Sequence, residues 1–278
     1  MSDQTARPQP AVGGLHFGEW GAELVGTAIL VFAAMSAVTV MFHPDSTVED
    51  WIPSTSTRLL VLGLVFAVII VAIATSPLGR LSGAHLNPAV TLAFWITGHV
   101  HPHDLFGYWA AQFTGGMVGA YVLRAVWGGT AAEVEYGAIS PEVGAGAAVA
   151  IEALMVALII AAMFFFLSER RLVPWTAVIA GLVVAADTWL GAPKTNTGLN
   201  PARTLGPSIV SGHWQDWWVY FIGPALGALL VALLWRTVPR IILTAKLFHD
   251  SSYRSVLRTH LPAGPYRGAE KSPRLHVS

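Results

Sequence analysis

The sequence predicts an all-α membrane protein in which six spanning helices and two half-length helices form an inverted repeat. Three observations predict it. Of 278 residues, 54% are hydrophobic and only 12% charged, roughly half the charge of an ordinary soluble domain, and the mean hydropathy is +0.57. Six apolar segments have about the 20 residues that a helix needs to cross a ~30 Å hydrocarbon core. The triplet Asn-Pro-Ala occurs twice, at Asn87, Pro88, Ala89 and at Asn200, Pro201, Ala202, 113 residues apart.

Composition also excludes. The formal net charge is zero, so nothing in the total suggests a nucleic-acid partner or an acidic substrate. With no cysteine, disulfides, thiolate catalysis and cysteine metal sites are ruled out. No GxSxG, HExxH or paired-carboxylate motif lies in the apolar segments, so no enzyme is expected. No cofactor and no metal is expected either.

Residues 1–17 form a polar tail containing Arg7, Pro8 and Pro10. The apolar run that follows is longer than a signal-peptide core and reads as a retained span. The membrane domain is expected over 18–240, its first half about 18–126 and its second about 145–240. The spans fall at roughly 20–41, 58–76, 104–126, 145–167, 174–192 and 217–239, with shorter apolar pieces at 88–98 and 201–211. Each half has a first span with an early glutamate (Glu23, Glu152), a second span, an Asn-Pro-Ala piece and a third span. The third spans align as Tyr108-x3-Gln112-x2-Gly115 and Tyr220-x3-Pro224-x2-Gly227. Three spans per half force opposite topologies, as in inverted repeats whose broken helices meet at the midplane.

Lys and Arg set the orientation. With both termini cytoplasmic, the inner side holds Arg7, Arg80, Arg170, Arg171, Arg236, Arg240 and a basic tail, 241–278, from Lys246 to Arg274. The outer connections carry Asp45, Glu49, Asp50, Glu133, Glu135 and Glu142. Within the tail, KLFHDSSYRSVLRTHL would form a short helix on anionic lipid or stay disordered. The eleven tryptophans, among them Trp20, Trp51, Trp175, Trp214, Trp217 and Trp218, mostly flank spans as interfacial anchors. The HVHPH run at 99–103 is read as a polar connection, with metal binding the lesser reading.

Asparagine is a favoured N-cap and proline a favoured first helical residue, so each Asn-Pro-Ala starts a helix. Ten residues rise ~15 Å, so two such helices entering from opposite faces would meet near the bilayer centre. The segments SGAHL and TNTGL that lead into them must line a wet cavity or be buried in protein. Their carbonyls, at Gly83, Ala84, His85, Thr197, Gly198 and Leu199, would then be offered to passing molecules. Each start carries roughly half a positive charge, which disfavours cations. A water accepting from both asparagine amides cannot donate along a file, which interrupts proton hopping.

With two such boxes, SGAHLNPAVT and GLNPAR, together with Glu23, Glu152 and the Tyr/Gly pattern of the third spans, residues 18–240 resemble the aquaporin, or major intrinsic protein, family. The resemblance implies a right-handed bundle of six spans and two half-helices, a pore in each protomer and a homotetramer in lipid. It implies a filter containing Arg203, the residue after the second box. Ungapped counting adds Ala67, twenty residues before Asn87, and Thr188 and Thr197, fifteen and six before Arg203; a shift of one would put Phe66 in place of Ala67. Glu23 and Glu152 resemble struts that accept N–H bonds from the two loops. Asp187 would pair with or tune Arg203 or line the outer vestibule, the alternative being a hydrogen-bonded or protonated acid at a protomer contact.

The function implied is a passive channel for water, with other small neutral solutes such as hydrogen peroxide, urea, ammonia, metalloid hydroxides or glycerol passing, in the plasma membrane. Thr204 stands where the family's glycerol facilitators have Asp, which disfavours a dedicated glycerol path. A broad-solute facilitator and a gradient-coupled secondary transporter are the alternatives. Neutral asparagines, in place of coupling carboxylates at the midplane, weigh against the transporter.

Overall fold

A computed structural model describes residues 15–240 and 242–245. The polar tail up to residue 14 and the tail from 246 onward, including the KLFHDSSYRSVLRTHL segment, lie outside the described residues.

Among the described residues every regular element is helical. The first half contains α1 (Phe17–Phe42), a short α2 (Val48–Trp51), α3 (Thr55–Thr75), a six-residue α4 (Pro77–Ser82), the half-helix α5 (Pro88–Ile96) and α6 (Pro102–Trp127). After a short α7 (Gly129–Ala132), the second half contains α8 (Ala145–Leu167), α9 (Thr176–Thr195), the half-helix α10 (Pro201–Ser211) and α11 (Val219–Trp235). These bounds follow the expected spans and half-helices to within a few residues at each end. By length and composition, α1, α3, α8 and the stretch Val173–Thr195 can cross a membrane. The helix α11 is apolar but has 17 residues, and α6 is 26 residues long with Asp104 and Gln112 buried along it.

Packing repeats the sequence symmetry. First and third spans pair within each half, α1 on α6 and α8 on α11, while the second spans α3 and α9 pair across the halves. Each half-helix leans on the third span of the other half, α10 on α6 and α5 on α11. Small residues permit these approaches. A Cβ at Gly115 would strike the Leu24 carbonyl of α1, and one at Gly227 would strike the Ala153 carbonyl of α8. The aligned glycines of the third spans are therefore sites of close helix contact in each half. Leu154, Leu158, Leu182, Leu190, Leu226 and Leu233 stay exposed on the outside of the bundle, as a lipid-facing surface requires. Trp51, Trp175, Trp214, Trp217 and Trp218 are exposed at element ends.

Both described chain ends lie on one face. There His16 contacts Asp104 at the start of α6, and Leu243 N–H donates to the Leu167 carbonyl at the end of α8 at 2.9 Å. The opposite face carries the acidic loops, with ion pairs Arg58–Glu49 at 3.2 Å, His43–Glu133 at 3.3 Å and His213–Glu135 at 2.8 Å.

Candidate functional site

The two half-helices begin back to back. Asn87 caps α5, its Oδ1 accepting from Ala89 N at 2.9 Å, and Asn200 caps α10, accepting from Ala202 N at 3.0 Å and Arg203 N at 3.3 Å. The amides also cross: Asn87 Nδ2 donates to the Leu199 carbonyl at 3.0 Å, and Asn200 Nδ2 donates to the Leu86 carbonyl at 2.7 Å. Each amide has two hydrogens, so one of each locks the halves together and the other is left for a solute. Pro88, Ala89, Pro201 and Ala202 form the first turns and are buried.

The two loops share an unusual backbone. Ala84 and Leu86 in the first, and Thr197 and Leu199 in the second, have φ of 51, 53, 56 and 57°. These are the positions three and one before each asparagine. Non-glycine residues there cost on the order of 1–3 kcal/mol each and persist only where the surroundings impose them. Buried acids do so. Glu23 accepts from His85 N at 3.0 Å and Leu86 N at 2.7 Å; Glu152 accepts from Gly198 N at 2.9 Å and Leu199 N at 2.7 Å. Both carboxylates are fully buried, and Gln112 Nε2 also donates to Glu23 at 2.7 Å.

A second pair of ties carries the same symmetry. Tyr108 Oη donates to the Ser82 carbonyl and Tyr220 Oη to the Thr195 carbonyl, both at 2.7 Å; each carbonyl lies five residues before its asparagine. The recurrent tyrosines were visible in the third-span alignment, but their task was not, because nothing in a sequence says which loop a hydroxyl reaches.

A cavity of about 120 Å³ runs past these starts, lined by Asn87, Asn200, Thr188, Thr197, Arg203, His85 and otherwise mainly by apolar side chains. It extends along α9 from Thr176 to Thr188, twelve residues or about 18 Å of helix. Among the described residues no carboxylate lines it. Arg203 is 9% exposed, and its Nη1 is buried without a hydrogen-bond partner. Thr188 Oγ1 donates back to the Val184 carbonyl at 2.8 Å, leaving its lone pairs to accept.

Four expected positions lie off the cavity wall: Ala67, Gly83, Gly198 and Asp187. Phe66, not Ala67, stands on the cavity wall. Ala67 is buried in the α3–α9 crossing, where a Cβ on Gly181 would lie 3.0 Å from its Cα. Adjacent helical residues are rotated by about 100°, so the side of α3 that packs on Gly181 cannot also face the cavity. Of the six residues expected to offer carbonyls to the pore, Ala84, His85, Thr197 and Leu199 line the cavity, but Gly83 and Gly198 do not. Gly83 closes α4 at φ 93°, and Gly198 lies against the Tyr220 ring with its carbonyl accepting from Asn200 N at 2.7 Å. Asp187 is off the cavity wall and 6% exposed, its Oδ2 without a partner, and among the described residues it forms no ion pair with Arg203.

At the end of the cavity nearer the chain termini, residues 242–245 fold back beneath the loop. His85 Nε2 lies 3.1 Å from the Ala245 carbonyl and His99 Nε2 lies 3.2 Å from the Ile242 carbonyl. The His85 ring stacks on Phe94 at 4.7 Å. Burial holds the His99 imidazole below the usual histidine range, against the raising pull of its contacts with Ile242 and Thr97.

The sequence profile of the family described as Major intrinsic protein matches residues 16–235. The chain is 33% identical to human aquaporin-2 over 223 residues, covering 78% of this chain and 77% of that protein. It is 29% identical to rat aquaporin-8 over 221 residues, covering 77% and 78%. The X-ray structure of the aquaglyceroporin from Plasmodium falciparum superposes with a TM-score of 0.66 at 21% identity, covering 81% of this chain and 97% of that one. The crossed asparagines, the matching loop geometry and the profile match agree, and the chain belongs to the major intrinsic protein family.

Proposed function

We propose that the protein is a passive transmembrane channel for water and small neutral solutes. The observation that carries this reading is the meeting of Asn87 and Asn200 on a narrow cavity that no described carboxylate lines. A coupled transporter needs ion-binding carboxylates or carbonyl cages at the midplane. Here the polar part of the wall is two neutral amides, threonines, His85 and one arginine. The half-helix starts and Arg203 repel cations, and the second amide hydrogens orient a water so that it cannot relay protons.

Phe66, Thr188, Thr197 and Arg203 form the filter in this reading, with the Phe66 ring as its apolar wall. The small Thr188 leaves room for solutes larger than water on the α9 side. The protein works as a homotetramer in the plasma membrane with both termini cytoplasmic. The acidic loops on the face opposite the termini support that orientation.

Stopped-flow light scattering on proteoliposomes tests the function. Against an impermeant osmolyte, shrinkage at least tenfold faster than in empty vesicles is expected. Against urea or glycerol, re-swelling after shrinkage would show that the filter admits larger solutes, and its absence would show that Phe66 closes it. Water flow equal to empty vesicles, or flow that requires a proton or sodium gradient, would overturn the channel reading.

A further inference from the structure

Away from the cavity, on the face that carries both described chain ends, His16, His103 and Asp104 come together. Each offers one ligand atom, and the three atoms lie within 4.8 Å of one another. We infer that these three side chains form a binding site for a borderline first-row divalent cation of the zinc type, joining the start of α1 to the start of α6.

The HVHPH run supplies only one of the partners, His103, and Asp104 follows it directly. His16 comes from the N-cap of α1, 88 residues from Asp104 in sequence. Its Nδ1 lies 2.9 and 2.8 Å from the two Asp104 oxygens, and His103 Nε2 lies 3.7 Å from Asp104 Oδ2. Two ligand atoms on a tetrahedral zinc with bonds of about 2.1 Å are about 3.4 Å apart. The two histidine–carboxylate spacings, 2.8 and 3.7 Å, bracket that value, and the two histidine nitrogens lie within 4.8 Å of each other, so side-chain rotation must draw the three ligand atoms together. His103 can rotate, since its side chain is 40% exposed, and that exposure also gives an ion its way in from solvent.

The carboxylate is already held as a ligand would be. Trp20 Nε1 donates to Asp104 Oδ1 at 3.0 Å, which fixes the carboxylate plane and turns Oδ2 toward the histidines. Such an outer donor is the usual companion of a ligating carboxylate. The indole is fixed in turn, because it lies over Gly107, where any Cβ would collide with the ring. Two imidazoles and one carboxylate suit zinc, cobalt or nickel, whereas magnesium and calcium prefer all-oxygen sets. Helix starts disfavour a cation; Asp104 and Glu19, in the first turns of α6 and α1, offset that. Three protein ligands leave a fourth position for water.

The test uses the full chain without a histidine tag, stripped with chelator and titrated with Zn²⁺ by calorimetry and with Co²⁺ by visible absorption. One equivalent per chain is expected, with the intense visible band of four-coordinate cobalt, no competition from excess Mg²⁺, and a thermal midpoint that rises with Zn²⁺. His103→Ala and His16→Ala should each weaken binding at least tenfold. The exposed His103 is the cleaner variant, since its replacement leaves the Asp104–Trp20 bond in place, and its metal-free thermal midpoint and water permeability should match the parent. Absence of stoichiometric binding would overturn the site. So would binding that survives both substitutions, which would assign the ion to other histidines of the chain.

Discussion

Glu152 holds two adjacent backbone N–H groups of a strained loop, and Glu23 does the same for the other. Removing the carboxylate leaves two buried donors unpaired at about 1–3 kcal/mol each. That is a large share of the ~5–15 kcal/mol by which a folded domain is stable. Glu152→Ala is therefore expected to cut the yield and thermal midpoint of folded protein sharply, while surviving molecules conduct water at the parent rate per channel. Yield, thermal melting and flux normalised to folded protein separate the two effects; a normal melt with altered solute preference would make Glu152 part of the solute path. Asp187 gives the opposite expectation. It is buried, off the cavity wall and without an ion pair to Arg203, so Asp187→Asn should leave water flux and its pH dependence unchanged in stopped-flow traces.

At the scale of elements, the contact between α3 and α9 decides which side chains reach the cavity. Gly63 lies against the Ala185 backbone and Gly181 against Ala67, so each helix contributes small residues four apart, on one face. That stripe was in the sequence, and it identifies the packed face of α3 better than counting from Asn87 does. Counting assumes a fixed loop length, and a single residue of error turns a helix by ~100°, enough to exchange Ala67 for Phe66. The half-helices were legible for a firmer reason: Asn at the cap and Pro at the first position are local chemistry that tertiary context does not overrule. The crossing makes its own prediction. Gly181→Val should force α3 and α9 apart, lower the thermal midpoint by the equivalent of about 1–3 kcal/mol and slow water flux as Phe66 and Val184 shift. Gly21→Ala, where an added Cβ meets nothing within 4 Å, is the matched control.

On the scale of the whole molecule, the inverted repeat puts most of the devices around the cavity down twice: two asparagines, two buried acids, two tyrosine ties and two loops with matching left-handed residues. The repeat was legible because it leaves sequence echoes at fixed offsets. The grouping of His16 with Asp104, and the return of residues 242–245 beneath His85, were not, since contacts between distant segments carry no local signal. One device has no twin. Arg203 follows the second box, whereas Val90 follows the first, so the field along the cavity is asymmetric although the scaffold is not. Its charge acts on top of the two half-helix starts, each equivalent to about half a charge. At an effective dielectric constant near 20, a unit charge about 8 Å from a passing cation contributes about 2 kcal/mol, roughly thirty-fold in occupancy. Arg203→Val is therefore expected to raise cation and proton leak by one to two orders of magnitude, while water flux stays within about twofold, because the paired amides still carry the file. A pH-sensitive dye inside proteoliposomes, with valinomycin to clamp the potential, reads the leak alongside the osmotic trace. Leak at the parent level would mean that the half-helix starts alone hold the barrier, and that Arg203 serves to orient solutes at the cavity wall.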